Sequence, residues 1–437
     1  MRFRIASVIS AVLVSAMAVP AADWPQWRGP NRDGASAEKG LLKAWPKEGP
    51  KLAWKVEDAA AVGTGYGSPA VVGDKVYLIG GDGPKKDAKE LCTCLSAKDG
   101  SKVWQTKLTT SGGDFLDMWG GGPRATPTVA GDHLYVLGAM GDVSCLTTAD
   151  GKVVWTKNLK KDLGGTTPAK GPWWGHSESP LVDGDNVIVT PGGAGGVTAL
   201  DKKTGNVAWV CKELTDDPGY SSAVVADVGG VRQYVQQTAK SAVGVRATDG
   251  KLLWQVGEIK RATAVIPTPV VADGYAFFTA SYGAGCEAFT LTKDGDGTKA
   301  TKVYSDNHVL ANHHGGVVRV GDYLYGHSDA RGGVNAWVCF EYKKGSDAPV
   351  WKAPGVGKGS VTLADGMLYC FAEKDGTLAL VKATPDKYEE VSRFAIPSKS
   401  KLRTGTQGAV WAHPVVANGK LYLRDFEKLF VFDVAAE

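Results

Sequence analysis

Apolar residues fall in short runs. Ala70-Val71-Val72, Val76-Tyr77-Leu78-Ile79, Leu91 to Ser96 and Lys102-Val103-Trp104 follow one another with Gly and Asp between them. Brief stretches rich in β-branched and aromatic residues, separated by turn formers, read as strands. The four together make one unit, and the unit recurs. Trp54, Trp104, Trp155, Trp209 and Trp254 stand 50, 51, 54 and 45 residues apart, and Tyr304, Trp351 and Phe394 continue the series at 50, 47 and 43. Eight aromatic markers at this interval predict eight four-stranded sheets, because a period of 20 to 50 residues signals a solenoid, propeller or array.

The turn before each early marker is the most regular feature. Asp99-Gly100, Asp150-Gly151, Thr204-Gly205 and Asp249-Gly250 all place Gly four residues ahead of the Trp, and Asp-Gly suits a two-residue hairpin with positive φ. Ten residues ahead of the same tryptophans stand the small residues Cys94, Cys145, Ala199 and Gly244. A small residue on the third strand leaves room for the ring. Trp54, Trp104, Trp155, Trp209, Trp254 and Trp351 are therefore expected to be structural spacers lying flat between neighbouring sheets.

Ring closure is also legible. After Phe394 the chain offers only three strands (His413 to Ala417, Leu421 to Arg424, Leu429 to Asp433), and the missing fourth is Lys51-Leu52-Ala53-Trp54-Lys55-Val56 near the start. The expected fold is all-β, an eight-bladed propeller of four-stranded antiparallel blades. The N-terminal strand pairs with the C-terminal blade, which leaves no free edge.

Composition agrees. The chain has 437 residues with 57 Gly and 14 Trp, a glycine content that helix interiors penalise. At 43% hydrophobic and 22% charged it has material for a large core and is not disordered. The 50 basic and 46 acidic residues leave +4, with basic pairs scattered instead of forming a stripe, so no nucleic-acid partner is expected. Arg2 and Arg4 precede an apolar run from Ile5 to Val19 and the small residues Val19-Pro20-Ala21-Ala22, the layout of a cleaved secretory signal. The expected division is a signal peptide over 1–22, a leader over 23–50 and the propeller over 51–437, in an extracytoplasmic (periplasmic or secreted) monomer with no membrane span. The alternative for the first residues is an N-terminal membrane anchor.

The run Ala199-Leu200-Asp201-Lys202-Lys203-Thr204-Gly205-Asn206-Val207-Ala208-Trp209 resembles the tryptophan-docking repeat of PQQ-like, or quinoprotein alcohol dehydrogenase-like, eight-bladed propellers. Asp23-Trp24-Pro25-Gln26-Trp27-Arg28-Gly29-Pro30-Asn31-Arg32-Asp33-Gly34 resembles the leader of many secreted bacterial proteins with these repeats. The resemblance covers nearly the whole chain after residue 22. It implies two kinds of function. Quinoprotein dehydrogenases hold pyrroloquinoline quinone on a Trp beneath an adjacent-cysteine disulfide, with a calcium ion and a catalytic Asp; the outer-membrane-protein assembly factors bind proteins and are lipid-anchored.

Neither pattern carries over whole. The seven cysteines include no adjacent pair, and the first, Cys92, is far from a lipidation site; an odd number also leaves at least one thiol free or paired between chains. Asp294-Gly295-Asp296-Gly297 reads as a hairpin turn in place of a calcium loop, and His313-His314 lacks metal-ligand spacing, so no metal is expected. The expected function is a protein- or small-molecule-binding module, non-catalytic and without cofactor. The alternative is a dehydrogenase of alcohols or sugars using the quinone with calcium.

Candidate binding residues come from a column comparison. At the start of each first strand, Ser68, Thr126, Ser179, Ser222, Thr268, Gly316, Ser360 and His413 form a mostly small, hydroxylic column that reads as structural. Two residues earlier the column is Tyr66, Arg124, Ser177, Tyr220, Ile266, His314, Lys358 and Trp411, which no packing rule produces. These should ring the mouth of the axial channel. Long loops beside them carry Trp119 and Trp173-Trp174-Gly175-His176-Ser177-Glu178. The expected ligand face holds Trp119, Arg124, Trp173, Trp174, His176, Glu178, Tyr220, His314, Lys358 and Trp411; the alternative is that the loop tryptophans plug the channel.

Overall fold

A computed structural model describes residues 22–110, 115–168, 173–257, 264–330, 333–403 and 408–436. The expected signal peptide lies almost wholly outside them. Eight antiparallel sheets follow in chain order. Blade one comprises Ala70–Val72, Lys75–Gly81, Glu90–Ser96 and Lys102–Lys107. Blade eight comprises Val415–Ala417, Lys420–Asp425, Lys428–Asp433 and, from the other end of the chain, Leu52–Val56. Leu52 faces Phe432 and Val56 faces Leu429 across that last ladder, so the ring closes with the strand that the repeat count required.

Each of four marker tryptophans stands opposite the small residue ten before it: Cys94 and Trp104, Cys145 and Trp155, Ala199 and Trp209, Gly244 and Trp254 are register partners. Its ring then lies on the turn glycine of the next blade. The indole N–H groups of Trp54, Trp104, Trp155 and Trp209 donate to the carbonyls of Ala97, Thr148, Lys202 and Ala247, each three residues before the glycine that the ring covers. Tyr304 does the same with its hydroxyl, 2.7 Å from the Tyr342 carbonyl and over Gly345. Trp351 donates to Thr384. Trp254 differs, donating to Gln233 of its own blade, because blade five replaces the tight turn with a long hairpin of Gly285–Asp294 and Gly297–Asn307. The Asp294-Gly297 segment is the tip of that hairpin.

The hydroxyl column stitches blades together at the centre. Ser68 Oγ accepts from the His413 N–H and donates to its carbonyl, Ser179 Oγ accepts from Thr126, and Ser222 Oγ accepts from Ser179. Buried Arg424 adds a clamp between blades eight and one, donating to the carbonyls of Gly63, Gly67 and Ile79; burial pushes its pKa down to about 9. All seven cysteines are buried and free, their pKa values pushed up by burial, to about 12 for Cys94 and Cys145.

The leader crosses the end of the channel opposite the long loops. Trp24 bridges to Val71 of blade one, Pro25 accepts from Val129 of blade two, and Arg32 donates to Ser179 and Pro180 at blade three. Trp27 donates to Thr268 at blade five, Arg28 donates to Val317 at blade six, Ala35–Ser36 pairs in parallel with blade seven, and Glu38 accepts from Asn418 and Gly419 of blade eight. Seven blades are thus tied by one short segment. Gly316 is the glycine of the hydroxylic column because a Cβ there would lie 2.0 Å from the Arg28 guanidinium.

Candidate functional site

Where the leader closes one end of the channel, the other end opens as a cavity of about 180 Å³. Among the described residues it is lined by Trp27, Tyr66, Trp119, Arg124, Trp174, Ser177, Tyr220, Ser222, Ala264, Ile266, Tyr282, His313, His314 and Trp411. Seven of the eight residues in the variable column are among them, because each lies just ahead of a first strand, where the chain enters the ring. Lys358 sits behind this wall.

Neighbouring loops brace one another. Tyr66 donates its hydroxyl to the Trp119 carbonyl at 2.8 Å, and Arg124 donates to the carbonyls of Gly120 and Gly122 at 3.0 Å each. Gly120, at φ 106, is needed because a Cβ would fall 1.9 Å from the Tyr66 hydroxyl. The Arg124 guanidinium lies 5.6 Å over the Tyr66 ring and 5.7 Å over Phe115, and burial lowers its pKa. Two carbonyls and two rings leave it without a carboxylate in contact among the described residues. Trp411 lies against Tyr66 at 4.9 Å and is stacked on His314 at 4.7 Å.

Opposite Arg124 a polar chain runs from the cavity into the wall. Tyr282, held at φ 60, places its hydroxyl 3.0 Å from His313 Nε2; His313 Nδ1 is 2.6 Å from Lys358 Nζ; and Lys358 is 2.7 Å from Asp329 and 3.7 Å from Glu373. An ammonium donates, so Nδ1 of His313 accepts and its Nε2–H donates to Tyr282. Burial, then the adjoining His314 and Lys358, hold the His313 pKa far below the ordinary value, and the ring is neutral. His314 is held down likewise by burial and Lys358. Asp329 and Glu373 outnumber the Lys358 ammonium by one charge behind the wall, and Arg124 is the cationic side chain among the described lining residues.

The remaining expected residues lie elsewhere. Trp173 is buried against Phe115, Ala139 and the edge of His176, away from its neighbour Trp174. His176 is buried, its pKa lowered to about 4 by desolvation. Glu178 joins blades three and four, accepting from the N–H and hydroxyl of Thr190 and from Gln236; burial raises its pKa to about 7. None of these three lines the cavity. Sequence reasoning missed Trp27, Tyr282 and His313 as lining residues. Trp27 had a signal, being an aromatic of the leader outside the repeat interval, whereas Tyr282 and His313 belong to no column.

An eight-bladed PQQ-like propeller with an aromatic cup at its axis is the class that this fold and site define. The chain belongs to the family described as outer membrane protein assembly factor BamB, whose family model matches residues 87–348. It is 28% identical to that assembly factor of Yersinia pestis over 253 residues, covering 54% of this chain and 57% of the relative, and 30% identical to the Escherichia coli K12 protein over 111 residues, 24% and 26% of the two chains. The match thus spans little more than half the length of the Yersinia relative. Among solved structures, BamB from Moraxella catarrhalis superimposes with a TM-score of 0.57 at 15% identity, covering 88% of this chain and 99% of that one. Quinohemoprotein alcohol dehydrogenase from Comamonas testosteroni gives 0.62 at 12%, covering 95% and 80%. These two likenesses show the fold. No helix among the described residues is long and apolar enough to cross a membrane.

Proposed function

We propose that this chain is an extracytoplasmic, monomeric binding propeller that engages its partner at the aromatic end of the axis and catalyses no reaction. Membership of the assembly-factor family supports a protein partner. The single observation that carries the reading is the make-up of the cup: among the described residues fourteen line it, with nine aromatic or imidazole rings and no carboxylate. Rings and one oriented cation recognise; a metal-assisted oxidation needs more. The quinone and calcium of the dehydrogenase branch do not fit this cup, because among the described residues no lining side chain is an acid to hold a divalent cation and Arg124 repels one. Among the described residues no group of three or more His, Cys, Asp or Glu stands close enough to hold a metal ion. A photo-crosslinking residue placed at Ile266, which lines the cup, is expected to capture a protein in the native host, while one placed at the exposed outer residue Val103 is not. Capture at Val103 alone overturns the reading, as does dye reduction that requires both quinone and calcium.

A further inference from the structure

The leader is seated from its first described residues. The Asp23 carboxylate accepts from the Gly73 N–H at 2.8 Å, and Trp24 exchanges two backbone bonds of 2.8 Å with Val71. One residue earlier, the Ala22 nitrogen donates to Glu38 Oε1 at 2.7 Å. Glu38 is 6% exposed and also accepts from the N–H groups of Asn418 and Gly419 in a turn of blade eight, at 2.8 and 3.2 Å. Its neighbours Lys39 and Lys43 pair with Asp365, so among the described residues Glu38 has three amide donors and no cation. Buried carboxylates are seldom left without an opposite charge. Two of the three donors belong to a turn in the chain interior. The third becomes a cation once the peptide bond before Ala22 is cut.

The sequence brings such a cut close without choosing the bond. Ala16-Met17-Ala18, Val19-Pro20-Ala21 and Pro20-Ala21-Ala22 are three runs of small residues ending in Ala, the kind that precedes signal-peptidase cleavage. A cut before Val19 leaves the Ala22 nitrogen an amide, and a cut before Asp23 removes it. We propose that signal peptidase cleaves between Ala21 and Ala22 and that the α-ammonium of Ala22 is the counter-ion of Glu38, locking the leader onto blade eight. Water adds across the amide; the released peptide keeps the Ala21 carboxylate, and the Ala22 nitrogen takes up a proton. One neutral hydrogen bond thereby becomes a charge-assisted one, about twice as strong. The inference rests on the extracytoplasmic location in the proposed function and adds the bond that is cut and the contact that cutting creates. Export then completes the seat of the same segment whose Trp27 lines the cup.

Mass spectrometry of the N-terminal peptide of the protein from its native host tests the cut, and acetylation kinetics test the contact. The first residue is expected to be Ala22. Only the unprotonated amine is acetylated, so pairing with Glu38 should slow labelling of the Ala22 α-amine at pH 7 about tenfold relative to Glu38→Gln, the effect of one pKa unit. Because Glu38 also holds the Asn418-Gly419 turn, a chain with Gly-Ser added ahead of Ala22 provides a second comparison. Its amine is carried off the carboxylate and should label as fast as in Glu38→Gln. Any first residue other than Ala22 in the exported protein overturns the inference alone, as does equal labelling of the three chains. Met1 retained on protein found in the cytoplasm overturns it together with the location on which it rests.

Discussion

Trp173 and Trp174 are chain neighbours with different tasks: the first packs under the loops against Phe115 and Ala139, and the second lines the cup beside Tyr220. Trp173→Ala should cost about 3 to 5 kcal/mol by emptying a packed site. Trp174→Ala should cost less than half of that and abolish binding at the cup; urea unfolding and a binding assay on the two single variants check both. A second residue-scale effect concerns protons. His413, wedged against Trp27 and donating Nε2–H to the His314 carbonyl, has its pKa lowered to about 3 by burial and by Arg28. Depression in the folded state means that its contribution is present above the unfolded value near 6.5 and is lost as pH falls toward 3. Buried His176 and His327, both lowered to about 4, act in the same direction. Glu90 and Glu178, raised to about 7, act oppositely, losing stability as pH rises from 4.5 to 7, and the larger histidine shifts win. The urea midpoint should therefore drop between pH 7 and pH 4. In His413→Gln, which keeps a donor for the carbonyl, the drop should be shallower by up to about 1.4 kcal/mol per pH unit below 6.

At the scale of the element, the recurring device is a ring laid on a turn. Gly100 has φ +75, and a Cβ there would lie 2.6 Å from the Trp54 ring, whereas Gly131, at φ +63, has nothing within 4 Å. Both alanine variants meet left-handed strain of about 1 to 2 kcal/mol, and only Gly100→Ala also displaces an indole, for roughly 1 to 3 kcal/mol more. Unequal shifts in the unfolding midpoint are the expected result, and equal shifts would count against the spacer role. This device was legible in the sequence because it repeats: four turns and four small residues at fixed offsets define one geometry. The variable column was legible for the same reason, since residues at equal offsets from the first strands must share one end of the channel. Glu178 and His176 were placed on the wrong side of the wall because a loop has no period to say which side chains turn inward. Lys358 kept its column but reaches back to Asp329 and Glu373, partners that no offset reveals.

For the whole molecule, closure and plugging are separable. Deleting residues 23–34 removes Trp24, Trp27, Arg28 and Arg32 but leaves Leu52–Val56 in place; the ring should remain monomeric and melt at a lower temperature. Deleting 23–56 also strips the closing strand from Lys428–Asp433 and bares an edge, so this form should melt lower still and self-associate in sedimentation. A longer deletion that melts as wild type would contradict closure. The leader's architecture was hidden from the sequence because its partners are so distant: the Trp27 bond to Thr268 spans 241 residues, the Arg28 bond to Val317 spans 289, and Ser36 reaches Val416 across 380.

Those separations also set an order of assembly. Blades are built from contacts between near neighbours in the chain and can form early, whereas contacts across hundreds of residues must wait for the loops between them to be drawn in. No partial ring offers the leader all seven of its seats. The first segment of the fold to be synthesised is therefore the last to settle, and until it does the cup has no floor, since Trp27 arrives with it. Recognition at the axis is thereby tied to completion: an unfinished propeller presents the rings of its loops but cannot present the site.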